Sequence, residues 1–366
     1  VTLTASYDTA TKTILLDFPD TYELKKGYTY LVTAHIKPTE AAYEEYRVEG
    51  RKYNDEPGAG TGTHGPISGR VEDGFADGLY SNADNGAYVT YSYNGTPNNK
   101  EFYLKPVIQI EPGTLTIEKS FAGLTQKEID SLMKTLKFSV ELDWKDENNQ
   151  AVTNSSLSNH MDVYLKNMTQ SSSDPMKYAY SIEGLSPNTD YTVSEVEGTA
   201  NVRGYQVATT TNNETKGTIG KGGSATASFT NTYTKLVAID VSKVVTGSLG
   251  DRTKDFPFTV SVTVNGAAYS DYTLTKNENP LQDNKSFTLR HGEKVVVTGV
   301  PKGATVRVSE AMADYTAEIA ITGTGTSTEL KETTTMGVEV VGVDEDTALV
   351  FTNTKNPTID TGILLD

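Results

Sequence analysis

The chain has no cysteine. Disulfides, thiolate metal sites and a cysteine nucleophile are therefore excluded. Its four histidines, His35, His64, His160 and His291, show no metal-ligand spacing and leave little material for a histidine-based triad. No metal and no cofactor is expected. Basic residues are also scarce: 32 Lys and Arg face 48 Asp and Glu, for a formal net charge of −16. A phosphate backbone needs clustered cations, so nucleic acid is an improbable partner, as is an anionic membrane surface. No run of 18 apolar residues is present, so no helix can be expected to span a bilayer. Contact with a membrane would need an anchor beyond the C-terminus. The start at Val1, with neither Met nor signal peptide, and the abrupt apolar end Ile363-Leu364-Leu365 suggest a piece of a longer precursor.

Turning to what is present, 366 residues suggest two to four domains. Hydrophobic residues make up only 36%, yet there are 21 Tyr and many β-branched residues. This profile fits thin β-sandwiches better than helical bundles. Short runs rich in Val, Thr, Tyr and Phe, several with period-two alternation, read as strands: Tyr28 to Lys37, Ala87 to Tyr93, Leu136 to Trp144 and Lys294 to Val300. Helical signals are few. Thr125 to Leu136 opens with a capping box (Thr125, Glu128) and carries Ile129, Leu132 and Met133 on one face; Thr39 to Tyr46 is a second short candidate. The expected fold class is all-β.

An internal repeat organises the chain. LTIEKSFAG around Lys119 is echoed by IDVSKVVTG around Lys243. LSPNTDYTVSEVE around Glu195 is echoed by VPKGATVRVSEAM around Glu310. ATASFTNTYT around Asn231 is echoed by TALVFTNTKN around Asn353. Three landmarks in one order at nearly one spacing place two homologous β-domains at 113–235 and 236–355. Residues 1–112 form a different domain with a long Gly-rich loop, Asp55 to Gly78, read as a lid or a binding loop. Residues 356–366 are a tail.

Each repeat carries one Lys in its first strand, one Glu in a middle strand and one Asn in its last strand. If first and last strands are neighbours, Lys119, Glu195 and Asn231 can meet inside one sandwich, and Lys243, Glu310 and Asn353 inside the other. Burial lowers the pKa of a lysine towards a neutral amine and raises that of a glutamate until it holds a proton. A neutral amine beside a carboxamide is a nucleophile facing an electrophile. A protonated Glu195 or Glu310 can polarise the carboxamide and shuttle protons while ammonia leaves. The product is a Lys–Asn isopeptide bond, Lys119–Asn231 or Lys243–Asn353. Against this stands the plainer reading of snorkelling lysines, solvated glutamates and turn-capping asparagines, which would hold for any of these residues taken singly.

The duplicated motifs resemble the CnaB-type isopeptide-forming domains of Gram-positive pilins and surface adhesins. Tyr191-Thr-Val-Ser-Glu195 with Phe229-Thr-Asn231-Thr, and Thr305-Val-Arg-Val-Ser-Glu310 with Phe351-Thr-Asn353-Thr, carry the resemblance, which covers about two-thirds of the chain. The second repeat departs at Thr305, where Tyr is commoner. The resemblance implies tandem Ig-like sandwiches in an elongated rod, on an extracellular or cell-wall-anchored protein. Residues 1–112 resemble the adhesin-type domain preceding such repeats. That pattern would pair Lys37 with Asn85, or with Asn82, with an Asp as catalytic acid. Asp162-Val-Tyr-Leu-Lys166-Asn167 resembles a pilin motif whose Lys joins subunits through sortase, with Leu165 in place of Pro. Ile359-Asp-Thr361-Gly362 resembles the end of a sortase sorting site, with Ile359 in place of Pro. Implied partners are other pilin subunits or the cell wall.

The expected function is mechanical: a surface stalk or pilin held by self-formed bonds, with no catalysis beyond a single self-directed turnover. One rival is a ligand-binding adhesin in which residues 1–112 grip a host or polysaccharide target. The other is an extracellular enzyme with the repeats as accessory modules. Gly60 to Gly65 matches G-x-G-x-x-G but lacks a strand–turn–helix frame. Gly220-Lys221 lacks the rest of a P-loop. The acidic run Asp344 to Asp346 reads as a solvated turn rather than a calcium site.

Overall fold

The computed structural model describes residues 3–11, 13–33, 35–50, 79–80, 87–103 and 107–357. The chain divides into two compact units, Val1–Pro38 and Thr39–Asp366. The Gly-rich loop, Asn82, Asn85, Thr361 and Gly362 lie outside the described residues.

In the first unit, Thr4–Asp8 pairs antiparallel with Thr13–Asp17. Asp8 shapes the turn: its carboxylate accepts the Ala10 and Thr11 N–H groups at 2.9 and 3.3 Å, which is the way Asp mimics a backbone turn. Phe18, Tyr22 and Tyr30 cluster beyond it, with the Tyr22 and Tyr30 hydroxyls 2.8 Å apart. The strand expected over Tyr28 to Lys37 does not form. Alternation becomes a strand only when a neighbour takes up the backbone hydrogen bonds. Among the described residues none pairs with this run, and Leu31 and Val32 remain 85% and 66% exposed.

The second unit opens with the helix Glu40–Glu49, N-capped at Thr39. Tyr88–Tyr93 and Thr96–Phe102 then form a hairpin. Its two-residue turn, Asn94-Gly95, has positive φ at both positions, the conformation this dipeptide favours between antiparallel strands.

Two β-sandwiches follow, each with its own core. In the first, Gly113–Ala122 lies between Lys177–Leu185 and the long strand Ser224–Thr246, whose other edge takes Tyr205–Thr211. The facing sheet runs Lys216–Ile219, Thr189–Glu195, Lys137–Asp143, His160–Tyr164. Leu115, Ile117, Phe138, Val140, Val193 and Phe229 meet between them. In the second, the same long strand lies between Lys294–Pro301 and Thr347–Thr354, which in turn pairs with Thr316–Thr322. Phe256–Val264, Thr305–Ala311 and Thr335–Val341 face it. Each sandwich thus sets its first and last strands side by side and parallel. The protein is all-β, with helices only at Glu40–Glu49 and Gln126–Leu132 and one 3₁₀ turn among the described residues. The second helix keeps its capping box, the Thr125 N–H donating to Glu128 Oε2 at 2.7 Å, and buries Ile129 and Leu132.

Ser224–Thr246 is a single 23-residue strand that crosses position 235 without a break. The signal was there: no Gly or Pro occurs between Ser224 and Thr246, and mostly apolar residues recur at alternate positions on both sides of the exposed Lys235. At about 3.3 Å per residue this strand carries Asn231 and Lys243 roughly 40 Å apart.

Candidate functional site: two buried Lys–Glu–Asn clusters

Strand alternation aims the site residues. In Gly113–Ala122 the core face holds Leu115, Ile117, Lys119 and Phe121. Lys119 is fully buried because it occupies an inward position of an apolar strand. Asn231 lies on the core face of the neighbouring strand with Phe229 and Tyr233, and Lys243 with Val241 and Val245 on the same strand further on. Asn353 follows Leu349 and Phe351 inward from the last strand. In the parallel register Phe229 stands opposite Lys119 and Asn231 opposite Phe121; Phe351 stands opposite Lys243 and Asn353 opposite Val245. Each lysine thus neighbours the strand that carries its asparagine. The glutamates arrive from the facing sheets, Glu195 at the end of Thr189–Glu195 and Glu310 near the end of Thr305–Ala311.

The structure brings both predicted triads together. Lys119 Nζ donates to Glu195 Oε2 at 2.6 Å, and Asn231 Nδ2 donates to Glu195 Oε1 at 2.9 Å. In the second cluster Lys243 Nζ lies 2.5 Å from Glu310 Oε1, and Asn353 Nδ2 donates to the same oxygen at 2.8 Å. The phenyl rings of Phe121 and Phe256 sit 5.3 and 4.4 Å from the respective amines.

Solvent reaches neither lysine, neither asparagine nor Glu310. Burial pushes the amines of Lys119 and Lys243 down to about 8, against the opposing pull of their glutamates. Burial likewise raises the Glu310 carboxyl, with Lys243 and Asn353 resisting. The shifts of Lys243 and Glu310 run the same way: the dry site moves both groups towards their neutral forms. Asn231 Oδ1 and Asn353 Oδ1 are buried without a partner. A half-turn of either carboxamide would face its oxygen to the glutamate, and a protonated carboxyl there would donate to it. The same proton would draw electron density from the carboxamide carbon.

Two glycines close the lysine strands. Gly123 and Gly247, each four residues past its lysine, have φ of +84° and +87°. A Cβ there would come within 2.1 Å of the Tyr233 carbonyl oxygen and 2.3 Å of the Lys355 carbonyl oxygen. They let the lysine strand turn away against the strand that carries the asparagine.

The remaining candidates lie apart. Lys37 is exposed. Lys166 is exposed on the 3₁₀ turn Leu165–Asn167, its Nζ 5.3 Å from the Tyr164 ring centroid. Asp344 pairs with Lys302 at 2.6 Å, and Asp346 accepts the Ala238 N–H. Among the described residues no group of His, Cys, Asp or Glu could hold a metal ion, and no helix is long and apolar enough to cross a membrane.

A polar junction also forms that no sequence motif announces. Arg47, its side chain 5% exposed, reaches from the helix Glu40–Glu49 to the first sandwich. It donates to the Gly184 carbonyl at 3.0 Å, to Ser186 Oγ at 3.3 Å and to Glu44 at 2.8 Å, and pairs with Glu40. Glu44 in turn accepts from Ser155 Oγ and the Ser156 N–H, both at 2.7 Å. In sequence these residues look like an ordinary charged helix face.

Three family models match the chain, each described as a domain of unknown function: DUF7604 over residues 1–109, DUF5979 over 115–234 and DUF7601 over 238–355. Two curated proteins are similar in sequence. One is a pilus tip adhesin, Cpa, of Streptococcus pyogenes, 31% identical over 132 residues, covering 35% of this chain and 18% of that protein. The other is a pilin of Streptococcus pyogenes serotype M1, 30% identical over 152 residues, covering 35% of this chain and 42% of that protein. The chain therefore spans less than half the length of either. Among solved structures, the major pilin from Streptococcus pyogenes aligns with a TM-score of 0.30 at 19% identity, over 68% of this chain and all of that one. A pilus-presented adhesin aligns with a TM-score of 0.29 at 24% identity, over 36% and 31%. The chain is thus similar in sequence to a streptococcal pilin and a streptococcal pilus tip adhesin.

Proposed function

We propose that this chain is a surface-exposed pilus-type structural or adhesive protein that staples each of its two sandwiches with a self-formed isopeptide bond, Lys119–Asn231 and Lys243–Asn353. The carrying observation is the pair of buried clusters, each with an amine within 2.6 Å of a carboxyl oxygen and a carboxamide hydrogen-bonded to the same carboxyl. In each, the Lys Nζ attacks the Asn carboxamide carbon, the Nζ–C bond forms and the C–Nδ2 bond breaks. Glu195 or Glu310 takes a proton from Nζ and passes it to the leaving nitrogen, which departs as ammonia. Holding the pair in register supplies about 7–11 kcal/mol of the barrier. The reaction is a single turnover on the chain itself, and we assign no other catalysis.

Each bond joins the first strand of a sandwich to its last. Tension entering at one end passes along strand, amide and strand without unzipping a sheet. The shared strand Ser224–Thr246 puts the two staples in series, which suits a protein that must hold under shear on a cell wall. Lys166, exposed on its turn, is the candidate residue for sortase-mediated linkage to another subunit, and Thr361-Gly362 the candidate sorting site. The test is intact-mass measurement of the full chain with mapping of cross-linked tryptic peptides. A mass lower by two ammonias and both Lys–Asn peptides are expected; an unmodified mass rules the reading out.

The similarity to a pilus tip adhesin supports a second role, with residues 1–112 gripping a host or polysaccharide target. Binding on a glycan and matrix-protein array that is lost when residues 1–112 are removed from the chain would establish it.

A further inference from the structure

The helix Glu40–Glu49 is seated in a socket on the first sandwich. The strand Lys177–Leu185 has a bulge between Ile182 and Leu185, and Gly184 within it has a φ of +77°. A Cβ at Gly184 would come within 2.6 Å of Arg47 Cγ, so the Arg47 stem lies in space that only glycine leaves open. The guanidinium passes over the buried Trp144 ring, 6.0 Å from its centroid, and donates to the Gly184 carbonyl and to Ser186 Oγ. Ser186 Oγ donates in turn to Glu40 Oε2 at 2.5 Å, and Glu147 accepts the Glu40 N–H at 3.1 Å. Glu44 is held by Ser155 and the Ser156 N–H. Glu40, Glu44 and Arg47, one face of the helix, are thus tied to three separate segments of the sandwich.

The chain later returns to the same place. Ile110 is buried against Ala42 and Tyr43, with Tyr46 beside them. The next residue is anchored to the sandwich: the Glu111 carbonyl accepts the Gly222 N–H at 2.9 Å, and its carboxylate lies 3.1 Å from Lys221 Nζ. The strand Gly113–Ala122, which carries Lys119, starts directly after. Helix and re-entry point therefore close a loop between Arg47 and Ile110, which includes the hairpin of Tyr88–Tyr93 and Thr96–Phe102. The loop has about 60 residues and would span roughly 200 Å if drawn out.

We propose that the helix Glu40–Glu49 is a force-sensitive clasp, which while docked hands tension arriving through Thr39 directly to the first sandwich and under higher tension lets go before either sandwich does, releasing the length between Arg47 and Ile110. The inference rests on the reading above of a surface protein that bears tension. The order of failure follows from the kinds of bond involved. The clasp is held by hydrogen bonds, ion pairs and one small apolar contact of Ala42, Tyr43 and Ile110. Hydrogen bonds weaken steeply with distance and angle, so a small displacement breaks them. Beyond the clasp, tension runs through strands that in this reading are closed by covalent amides. Opening is reversible, because the loop keeps the helix near its socket at the high effective concentration of a tethered partner, and the helix reseats when tension falls. A sudden pull then extends the loop, and the force along the whole chain drops.

The test is single-molecule pulling on the full chain, tethered through Pro38→Cys and Pro357→Cys, since the sequence has no cysteine of its own. The expected first event is a lengthening of roughly 200 Å that recurs after each relaxation. Arg47→Met removes the shared donor, and Gly184→Ala blocks the socket from the other side. Each should speed that event by about ten- to a hundredfold at a given force, the rate equivalent of losing hydrogen bonds to a charged group. Absence of the event, a lengthening well short of the loop, or an opening rate that neither substitution changes would overturn the clasp. Lengthening of the segments between Lys119 and Asn231 or between Lys243 and Asn353 would instead overturn the isopeptide reading, while the clasp is still decided by its own event and its response to the two substitutions.

Discussion

Lys243 Nζ and Glu310 Oε1 lie 2.5 Å apart in a cavity that solvent does not reach. An ion pair so placed is usually a burden, since removing two charges from water costs more than a single contact returns. Burial lowers the amine and raises the carboxyl, shifts that ease this cost by moving both groups towards their neutral forms. A neutral amine is also what acylation by a carboxamide requires.

The glutamates should act independently. Glu195→Ala is expected to abolish the Lys119–Asn231 peptide and leave Lys243–Asn353 intact, and Glu310→Ala to do the reverse. Peptide mapping of the two variants decides it: loss of both bonds from either single change would contradict two self-contained sites.

Removing a staple should cost stability. Each proposed bond would close a segment of more than a hundred residues, which by the chain-entropy treatment of cross-links contributes about 4–5 kcal/mol, less any strain. Lys243→Met keeps an apolar stem in the core and prevents the bond. Denaturant unfolding of this variant should show the second sandwich melting well before the first.

An unreacted lysine should make folding stability depend on pH. In Asn231→Ala the Lys119 amine cannot react and stays depressed near 8 in the folded chain, against about 10.4 when unfolded. Between these values the unfolded state binds more protons, so stability rises with pH over that window. Guanidinium midpoints for the first sandwich measured at about pH 7.5 and pH 10 should increase; a decrease would mean the amine is charged in the fold.

The Arg47 junction should be separable from the sandwiches. Arg47→Met leaves Glu40, Glu44 and Ser186 without their shared donor, a change of the kind that costs about 3–5 kcal/mol for a buried pair. Hydrogen exchange should accelerate across Glu40–Glu49 while both cores stay protected. Acid should do the same to the unmutated chain. Burial would raise Glu44, but hydrogen bonds from Ser155, Ser156 and Arg47 outweigh it and hold the carboxyl at about 2. Its contribution is complete above the ordinary carboxylate value and lost as pH falls from there towards 2.

Much of this protein was legible because strands alternate. Lys119, Lys243 and Asn353 fall at inward positions among Leu, Ile, Val and Phe, so their burial followed from parity, and the repeat showed that each recurs with a Glu and an Asn. The run Tyr28 to Lys37 has the same kind of alternation and forms no strand, because a strand depends on a partner that its own residues cannot specify. The helix Glu40–Glu49 was readable from Thr39 onward, but the burial of Arg47 was not, since its acceptors at Gly184 and Ser186 lie more than a hundred residues away.

The sequence by itself determined the fold class, the duplication and the identity of the six residues that meet in the two clusters, because periodicity and recurrence are properties of the chain alone. Tertiary structure decided what surrounds them. It joined two sandwiches through one unbroken strand, set Met336 opposite Glu310, and ended the pairing of Lys216–Ile219 at Thr192, short of Glu195. The reason is physical: strand pairing and solvent access depend on which distant segment occupies each edge, and residues with the same motif acquire different dielectric surroundings when those neighbours differ.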